Sequence, residues 1–228
     1  MLKSVETWRA AFRNGAFRDQ FLISSIALPV TAVILRVYAE HIESRAGVSI
    51  PDPLLAVLPS IDLNWVIFAV FYSGLIFGFV SLAMHPYRFL QTTRALALLI
   101  LLRILSLFLF PLDTVQGGIP LSDPILRFPP LRFTRSHGLF FCWETAVLVL
   151  LSLTSRWKDM RIIFAGAAIL MSILLLLQRA QYSICIVAGP CFAYVAFGFA
   201  RYITVKDAGE SREFGGIEKK IVVTARNN

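Results

Sequence analysis

The sequence predicts an all-α, polytopic membrane protein, a bundle of six transmembrane helices with both termini in the cytoplasm. Of its 228 residues, 57% are hydrophobic and only 16% are charged, and the mean hydropathy is +0.71. A soluble domain of this length cannot bury that much apolar surface, because chain length limits the buried fraction. The apolar residues also fall into runs of about 20, the length that crosses a bilayer as a helix.

The predicted elements follow one another from a basic N-terminal segment to a charged C-terminal tail. Residues 1–19 form a basic flank or a short interfacial helix, with Trp8 and Phe12 four positions apart among arginines. The transmembrane domain is residues 20–203, and residues 204–228 are predicted to be a mobile cytoplasmic tail. The six apolar runs are residues 20–38, 64–83, 95–112, 138–154, 162–178 and 182–203.

The first apolar run is predicted to be a retained anchor and not a cleaved signal peptide. It is longer than the apolar core of a signal peptide, about 7–15 residues, and it ends in Tyr38, Glu40 and His41. Most of the 22 lysines and arginines then lie on the side that holds the N-terminus, which makes that side cytoplasmic. The formal charge of +8 indicates contact with anionic lipid, and the sequence predicts no nucleic-acid partner.

Polar residues interrupt three of the runs at a similar predicted depth on the non-cytoplasmic side. Arg103 lies in the third run, Glu144 near the start of the fourth, and Gln181 and Cys185 at the start of the sixth. A charge inside a span costs about 2.5–3.5 kcal/mol and therefore usually faces a cavity or a partner. We predict that Glu144 pairs with Arg103 across a polar pocket. The alternative is that the pair only ties two helices together.

Cysteine usage predicts neither a disulfide framework nor a metal motif, because all three cysteines fall inside predicted helices. A bridge between Cys142 and Cys185 is possible in an oxidising compartment, but two packed thiols are the favoured interpretation. A metal site built from Cys142, Glu144, Cys185 and His137 is disfavoured. The sequence predicts no metal and no cofactor.

"FFCWETA" (140–146) resembles the motif "FFSGHTA", and "QYSICIVAGP" (181–190) resembles a segment that begins "HYSIDV". With these two segments the chain resembles the sphingomyelin-synthase-related branch of the membrane phosphatidic-acid-phosphatase superfamily. Upstream, "IPDPLLAVLPSIDLNW" (50–65), "LLR" (101–103) and "GGIPLSDPIL" (117–126) are similar to further family segments. The resemblance therefore covers about residues 50–203 and implies six helices with the same sidedness.

For intact members the resemblance implies transfer of a lipid headgroup. The histidine of "SGHT" attacks the lipid phosphate, a second histidine and an aspartate move the protons, and the headgroup passes to ceramide, a diacylglycerol or water. In this chain those three positions hold Glu144, Gln181 and Cys185. Cys142 and Trp143 replace the Ser and Gly before the nucleophile. The implied substrate-binding positions are Arg103, Cys142, Trp143, Thr145 and Tyr182.

The substituted residues predict that phosphoryl transfer is lost. Gln181 cannot carry a proton at physiological pH, and a carboxylate at position 144 repels the phosphate it would attack. We therefore expect a catalytically degenerate protein that binds a phospholipid or sphingolipid at the membrane's non-cytoplasmic side, or regulates a relative. Two alternatives stay open: an active phosphotransferase or phosphatase with Glu144 as nucleophile, and a structural subunit of a membrane complex. The partners would be membrane lipids, and also a membrane-protein partner or a second copy of the chain.

Overall fold

The computed structural model describes residues 2–42, 47–123 and 141–226, with side chains over residues 5–38, 47–123 and 141–204. The elements within these ranges are helices joined by turns and extended segments. In chain order they are α1 Leu2–Arg13, α2 Gly15–Ile42, α3 Pro53–Val57, α4 Asn64–Ala83, α5 Pro86–Leu109, α6 Trp143–Thr154, α7 Lys158–Leu177 and α8 Ser183–Arg226.

Five helical segments are long and apolar enough to cross a bilayer. They are Gly15–Tyr38 of α2, Asn64–Ala83, Pro86–Leu109, Lys158–Leu177 and Ser183–Thr204 of α8. The predicted all-α, multi-pass membrane class is therefore confirmed at this level. The sixth span and the cytoplasmic location of the termini stay predictions. α8 also runs on as a helix into the predicted tail, as far as Arg226, and the mobility of that tail stays a prediction.

The fourth predicted span, 138–154, differs most from its expected form. Residues 138–140 lie outside the described residues, and α6 begins at Trp143 and has 12 residues, about 18 Å at 1.5 Å per residue. It packs on α4, α5, α7 and α8, and its buried residues are Glu144, Thr145, Ala146, Val147, Leu148, Leu150, Leu151 and Thr154. α6 is thus the central helix of the bundle, which is the usual place for a short apolar helix.

The helices around α6 expose apolar side chains on their outer faces. On α2 these include Leu22, Ile23, Ile26, Val30 and Val33, and on the other helices Phe79, Ile162, Ile169, Val187 and Phe199. A monomeric soluble protein rarely exposes apolar patches of this extent. The outer ring of the bundle therefore suits a lipid environment.

Small residues let α4 approach the central helix closely. A Cβ atom added at Gly74 would lie 2.7 Å from Leu148 Cδ2, and one added at Gly78 would lie 2.8 Å from the methyl carbons of Leu151. The two glycines are four residues apart and so lie on one face of α4. Pairs of small residues at this spacing are typical of helix packing in membranes.

The bundle has two chemically different ends. The loop end consists of residues 47–63, 110–123 and 178–182. The basic end consists of α1 and of the turns at residues 84–85 and 155–157. There the Trp8 indole nitrogen donates a hydrogen bond to the Ala83 carbonyl oxygen at 2.6 Å, and the Trp8 ring packs against Phe21 and Phe89. α1 is therefore a helix that docks on the bundle.

Candidate functional site

The positions that the motif resemblance singled out come together at the loop end, where α6 and α8 begin. Cys142 Sγ and Gln181 Nε2 each lie 3.5 Å from Glu144 Oε2, in donor positions. The Cys142 backbone nitrogen donates a 2.9 Å hydrogen bond to the Cys185 carbonyl oxygen. The two thiols are unbridged. Glu144, Cys142, Gln181 and Cys185 thus form one buried polar cluster, which we call the Glu144 cluster.

The start of α6 explains how the fold accepts a carboxylate that is only 1% exposed. Glu144 lies in the first turn of α6, where the positive end of the helix macrodipole favours a negative charge. Cys142 is the N-cap residue, and its sulfur accepts a 3.5 Å hydrogen bond from the Thr145 backbone nitrogen. The helix terminus and two side-chain donors therefore offset part of the cost of removing this carboxylate from water.

Arg103 of α5 lies beside the same cluster, against the rings of Trp143 and Phe141. Its side chain is buried, and the guanidinium carbon lies 5.4 Å from the centre of the Trp143 ring and 5.8 Å from that of Phe141. The Phe141 ring stacks in turn on Phe192 of α8 at 4.6 Å. Arg103 therefore lies within cation–π distance of the residue next to Glu144. The ion pair between Arg103 and Glu144 itself stays a prediction.

The close approach of α8 to α6 depends on Gly189, which the motif comparison did not single out. A Cβ atom at this position would lie 2.6 Å from Thr145 Oγ1 and 2.9 Å from the Cys142 carbonyl oxygen. The Thr145 hydroxyl donates a 3.2 Å hydrogen bond to that same oxygen. Only its position within "QYSICIVAGP" could have pointed to Gly189.

Tyr182 connects the Glu144 cluster to a cavity at the loop end. The cavity has a volume of about 410 Å³, and the residues that line it include Asp52, Gln116, Arg179 and Tyr182. Tyr182 also packs with Cys185 in a small apolar group. The described residues offer no hydrogen-bond partner to the buried Tyr182 hydroxyl or to Gln181 Oε1. Buried polar atoms are normally satisfied, so these two are exceptions within the described fold.

Asp52 fixes the wall of this cavity to α8. Its carboxylate accepts hydrogen bonds from the Ser183 backbone nitrogen at 2.7 Å and from the Ser183 hydroxyl at 3.0 Å. It also caps α3 by accepting from the Leu54 and Leu55 nitrogens. Burial raises the pKa of Asp52, but the hydrogen bonds from Ser183, Leu55 and Leu54 outweigh it, so the pKa falls below its usual 3.8.

Replacing Asp52 by Asn is expected to cost about 1–2 kcal/mol of stability at neutral pH, because the new amide can no longer accept at both oxygens. The lowered pKa of Asp52 means that its contribution is present above pH 3.8 and is lost as the pH falls through the folded-state value. Unfolding in detergent measured from about pH 6 to 3 should therefore show the two proteins converging at acid pH. Asp62→Asn is the control, since Asp62 accepts a local bond from the Asn64 nitrogen. A constant difference at every pH would contradict the prediction.

The turn between α7 and α8 adds polar residues that the sequence did not single out. Gln178 is fully buried. Its Oε1 accepts from the Leu63 nitrogen at 3.1 Å, and its Nε2 donates to Asn64 Oδ1 at 3.0 Å. Arg179 has a positive φ of 51°, unusual for a residue with a side chain, and its guanidinium donates to the Leu58 carbonyl oxygen. Gln178 Nε2 also donates to the Ile119 carbonyl oxygen at 3.2 Å, so the contacts of Gln178 and Arg179 join all three loop-end segments.

Among the described residues no group of three or more His, Cys, Asp or Glu side chains is placed to hold a metal ion. His137, one of the four residues in the disfavoured metal site, lies outside the described residues. No protein-family model matches the chain, and no curated protein sequence matches it at a significant level. The resemblance to the sphingomyelin-synthase-related branch therefore rests on the motif residues alone and stays a prediction.

Proposed function

We propose that the chain is a sphingomyelin-synthase-like, six-span membrane protein that binds the headgroup region of a phospholipid or sphingolipid at its loop end without transferring it. The observation that carries this proposal is the contact of Gln181 Nε2 with Glu144 Oε2. The two residues occupy positions whose counterparts in intact motifs are the nucleophile and the proton carrier. Here an amide faces a carboxylate.

The chemistry of this pair supports recognition rather than catalysis. A neutral amide neither takes nor gives a proton near pH 7, so Gln181 cannot activate a nucleophile or protonate a leaving group. Trp143 lies against the Arg103 guanidinium and occupies space that a smaller residue would leave to a substrate. Tyr182 and the loop-end cavity still offer a polar site next to a membrane bundle.

The course of the chain supports six spans with the loop end outside the cytoplasm. With α6 counted as a crossing, the helices alternate between the two ends and return both termini to the basic end. That end holds Arg9, Arg13, Arg88, Arg156 and Arg161. By the positive-inside rule we infer that it is the cytoplasmic end and that the lipid site is on the non-cytoplasmic side.

One observation favours an active enzyme as the second candidate. Cys142 Sγ and Gln181 Nε2 both approach Glu144 Oε2 as donors, and such donors stabilise the ionised carboxylate. An ionised carboxylate is the nucleophilic form, and carboxylates can form acyl phosphates. The burial of Glu144 and the absence of a proton carrier at Gln181 make this the weaker candidate.

The test compares the natural protein with a restored variant that carries Cys142→Ser, Trp143→Gly, Glu144→His, Gln181→His and Cys185→Asp together. Headgroup transfer and phosphate release are measured on a panel of phospholipids with and without ceramide, and copurifying lipid is identified by mass spectrometry. We expect bound lipid but no turnover from the natural protein, and turnover from the restored variant.

Turnover by the natural protein that disappears in Glu144→Ala would make it an enzyme and overturn the proposal. Neither lipid nor turnover in the natural protein or the restored variant would favour a structural subunit. A correctly folded restored variant is the precondition, so each preparation is first checked by thermal unfolding in detergent.

A further inference from the structure

Arginines from three segments meet at the basic end, around the last residues of α6. Arg88 lies in the first turn of α5, Arg156 in the turn after α6, and Arg161 near the start of α7. Arg88 Nη1 donates to the Thr154 carbonyl oxygen at 2.8 Å, and Arg161 Nε donates to the Ser155 carbonyl oxygen at 3.2 Å. The negative end of the α6 macrodipole thus holds two of the three guanidinium groups in place.

The positive charge of these arginines exceeds the negative charge near them. None of the three has a carboxylate within ion-pair distance in the described chain, and a helix C-terminus supplies only about half a negative charge. His85, beside them, has a buried Nε2 without a hydrogen-bond partner among the described residues. Burial, and then the charges of Arg156 and Arg88, lower the pKa of His85. The histidine brings no negative charge and therefore does not offset the positive charge of the arginines.

We propose that Arg88, Arg156 and Arg161 form an anion site for a phosphate group at the basic end of the bundle. Guanidinium groups match phosphate oxygens in pairs, which makes arginine the preferred residue for such recognition. The site lies where α5 and α7 begin and α6 ends, beside the exposed Trp157 ring. Tryptophan is enriched at the membrane–water interface, the depth at which lipid phosphates lie.

Substitution of Arg156 distinguishes a specific anion site from the general attraction of a basic surface for anions. Its side chain is exposed, and it donates no hydrogen bond to the described residues, so its removal should leave the fold unchanged. Arg201 of α8 is also exposed and lies toward the same end of the bundle. Arg156→Gln and Arg201→Gln therefore remove equal charge at one end, but only the first removes it from the proposed site.

The experiment uses the full chain in detergent and measures binding of phosphatidic acid, phosphatidylglycerol and phosphatidylcholine by native mass spectrometry. We expect anionic lipid to bind, with affinity about tenfold lower in Arg156→Gln, the loss typical of one charged hydrogen bond, and nearly unchanged in Arg201→Gln. Competition with inorganic phosphate distinguishes a free phosphate ion from a lipid phosphate as the ligand of the site. Displacement of the lipid by phosphate means that a free anion fills the site, and resistance to it means that the site needs a lipid. Equal losses in the two variants, or no preference for anionic over zwitterionic lipid, would overturn the proposal.

Discussion

Glu144→Gln and Arg103→Leu are each expected to destabilise the folded protein by about 3–5 kcal/mol, with a double variant that loses clearly less than the sum. Both side chains are almost completely buried, and the ring of Trp143, the neighbour of Glu144 in the chain, lies 5.4 Å from the Arg103 guanidinium. If the two charges pair, the removal of one leaves the other in a medium of low dielectric constant. The amide introduced by Glu144→Gln would also be a weaker acceptor for the Cys142 and Gln181 donors than the carboxylate it replaces.

The coupling energy decides whether the pair exists. Unfolding in a fixed detergent is followed for the natural protein, both single variants and the double variant. Arg201→Gln removes an exposed arginine and should change stability by less than about 0.5 kcal/mol. If the double variant loses as much stability as the two single variants together, Arg103 and Glu144 act independently and each has other partners.

The cycle also bears on the proposed lipid site. Loss of lipid binding in a single variant that stays folded would show that the charge removed in that variant takes part in binding the headgroup. Unchanged lipid binding together with a large coupling energy would support the alternative interpretation, in which the pair only ties α5 to α6. Because stability and binding are measured on the same preparations, the two roles are distinguishable.

Much of the fold class and part of the site follow from hydrophobic patterning alone. Apolar runs of about 20 residues predict the five long helices. Because successive spans cross the bilayer in opposite directions, the order of the runs predicts which helix ends lie at the same depth in the membrane. Glu144, Gln181 and Cys185 could therefore be placed together before their contacts were known, since α6 and α8 both begin at the loop end. That topology gives Glu144 and Gln181 a common depth, whereas their contact, 37 positions apart in the sequence, depends on the packing of α6 against α8.

Other features depend on packing that a one-dimensional pattern does not contain. The run at 138–154 is as apolar as its neighbours, and nothing in its composition says that α6 begins only at Trp143 or that four helices surround it. The bond between Asp52 and Ser183 joins residues 131 positions apart, and no periodicity connects them. The role of Gly189 likewise appears only when the atoms of Thr145 and Cys142 are placed beside it.

Gly189→Ala is expected to destabilise the bundle by about 1–3 kcal/mol, the usual cost of overpacking a close contact. The new methyl group would lie 2.9 Å from the Cys142 carbonyl oxygen. That oxygen belongs to the capped start of α6 and accepts hydrogen bonds from the Thr145 hydroxyl and the Ala146 nitrogen, so it cannot move aside easily. α8 must shift instead, and Gln181 and Cys185 move with it.

Gly198→Ala is the matched control, because a Cβ atom at Gly198 meets nothing within 4 Å. Alanine is favoured over glycine inside a helix by about 1 kcal/mol, so this variant should be neutral or slightly more stable. The two substitutions in one helix are thus expected to change stability in opposite directions when unfolding is measured in the same detergent. If Gly189→Ala were as stable as Gly198→Ala, α6 and α8 would not be in tight contact at Thr145. The geometry of the Glu144 cluster, which depends on that contact, would then be wrong.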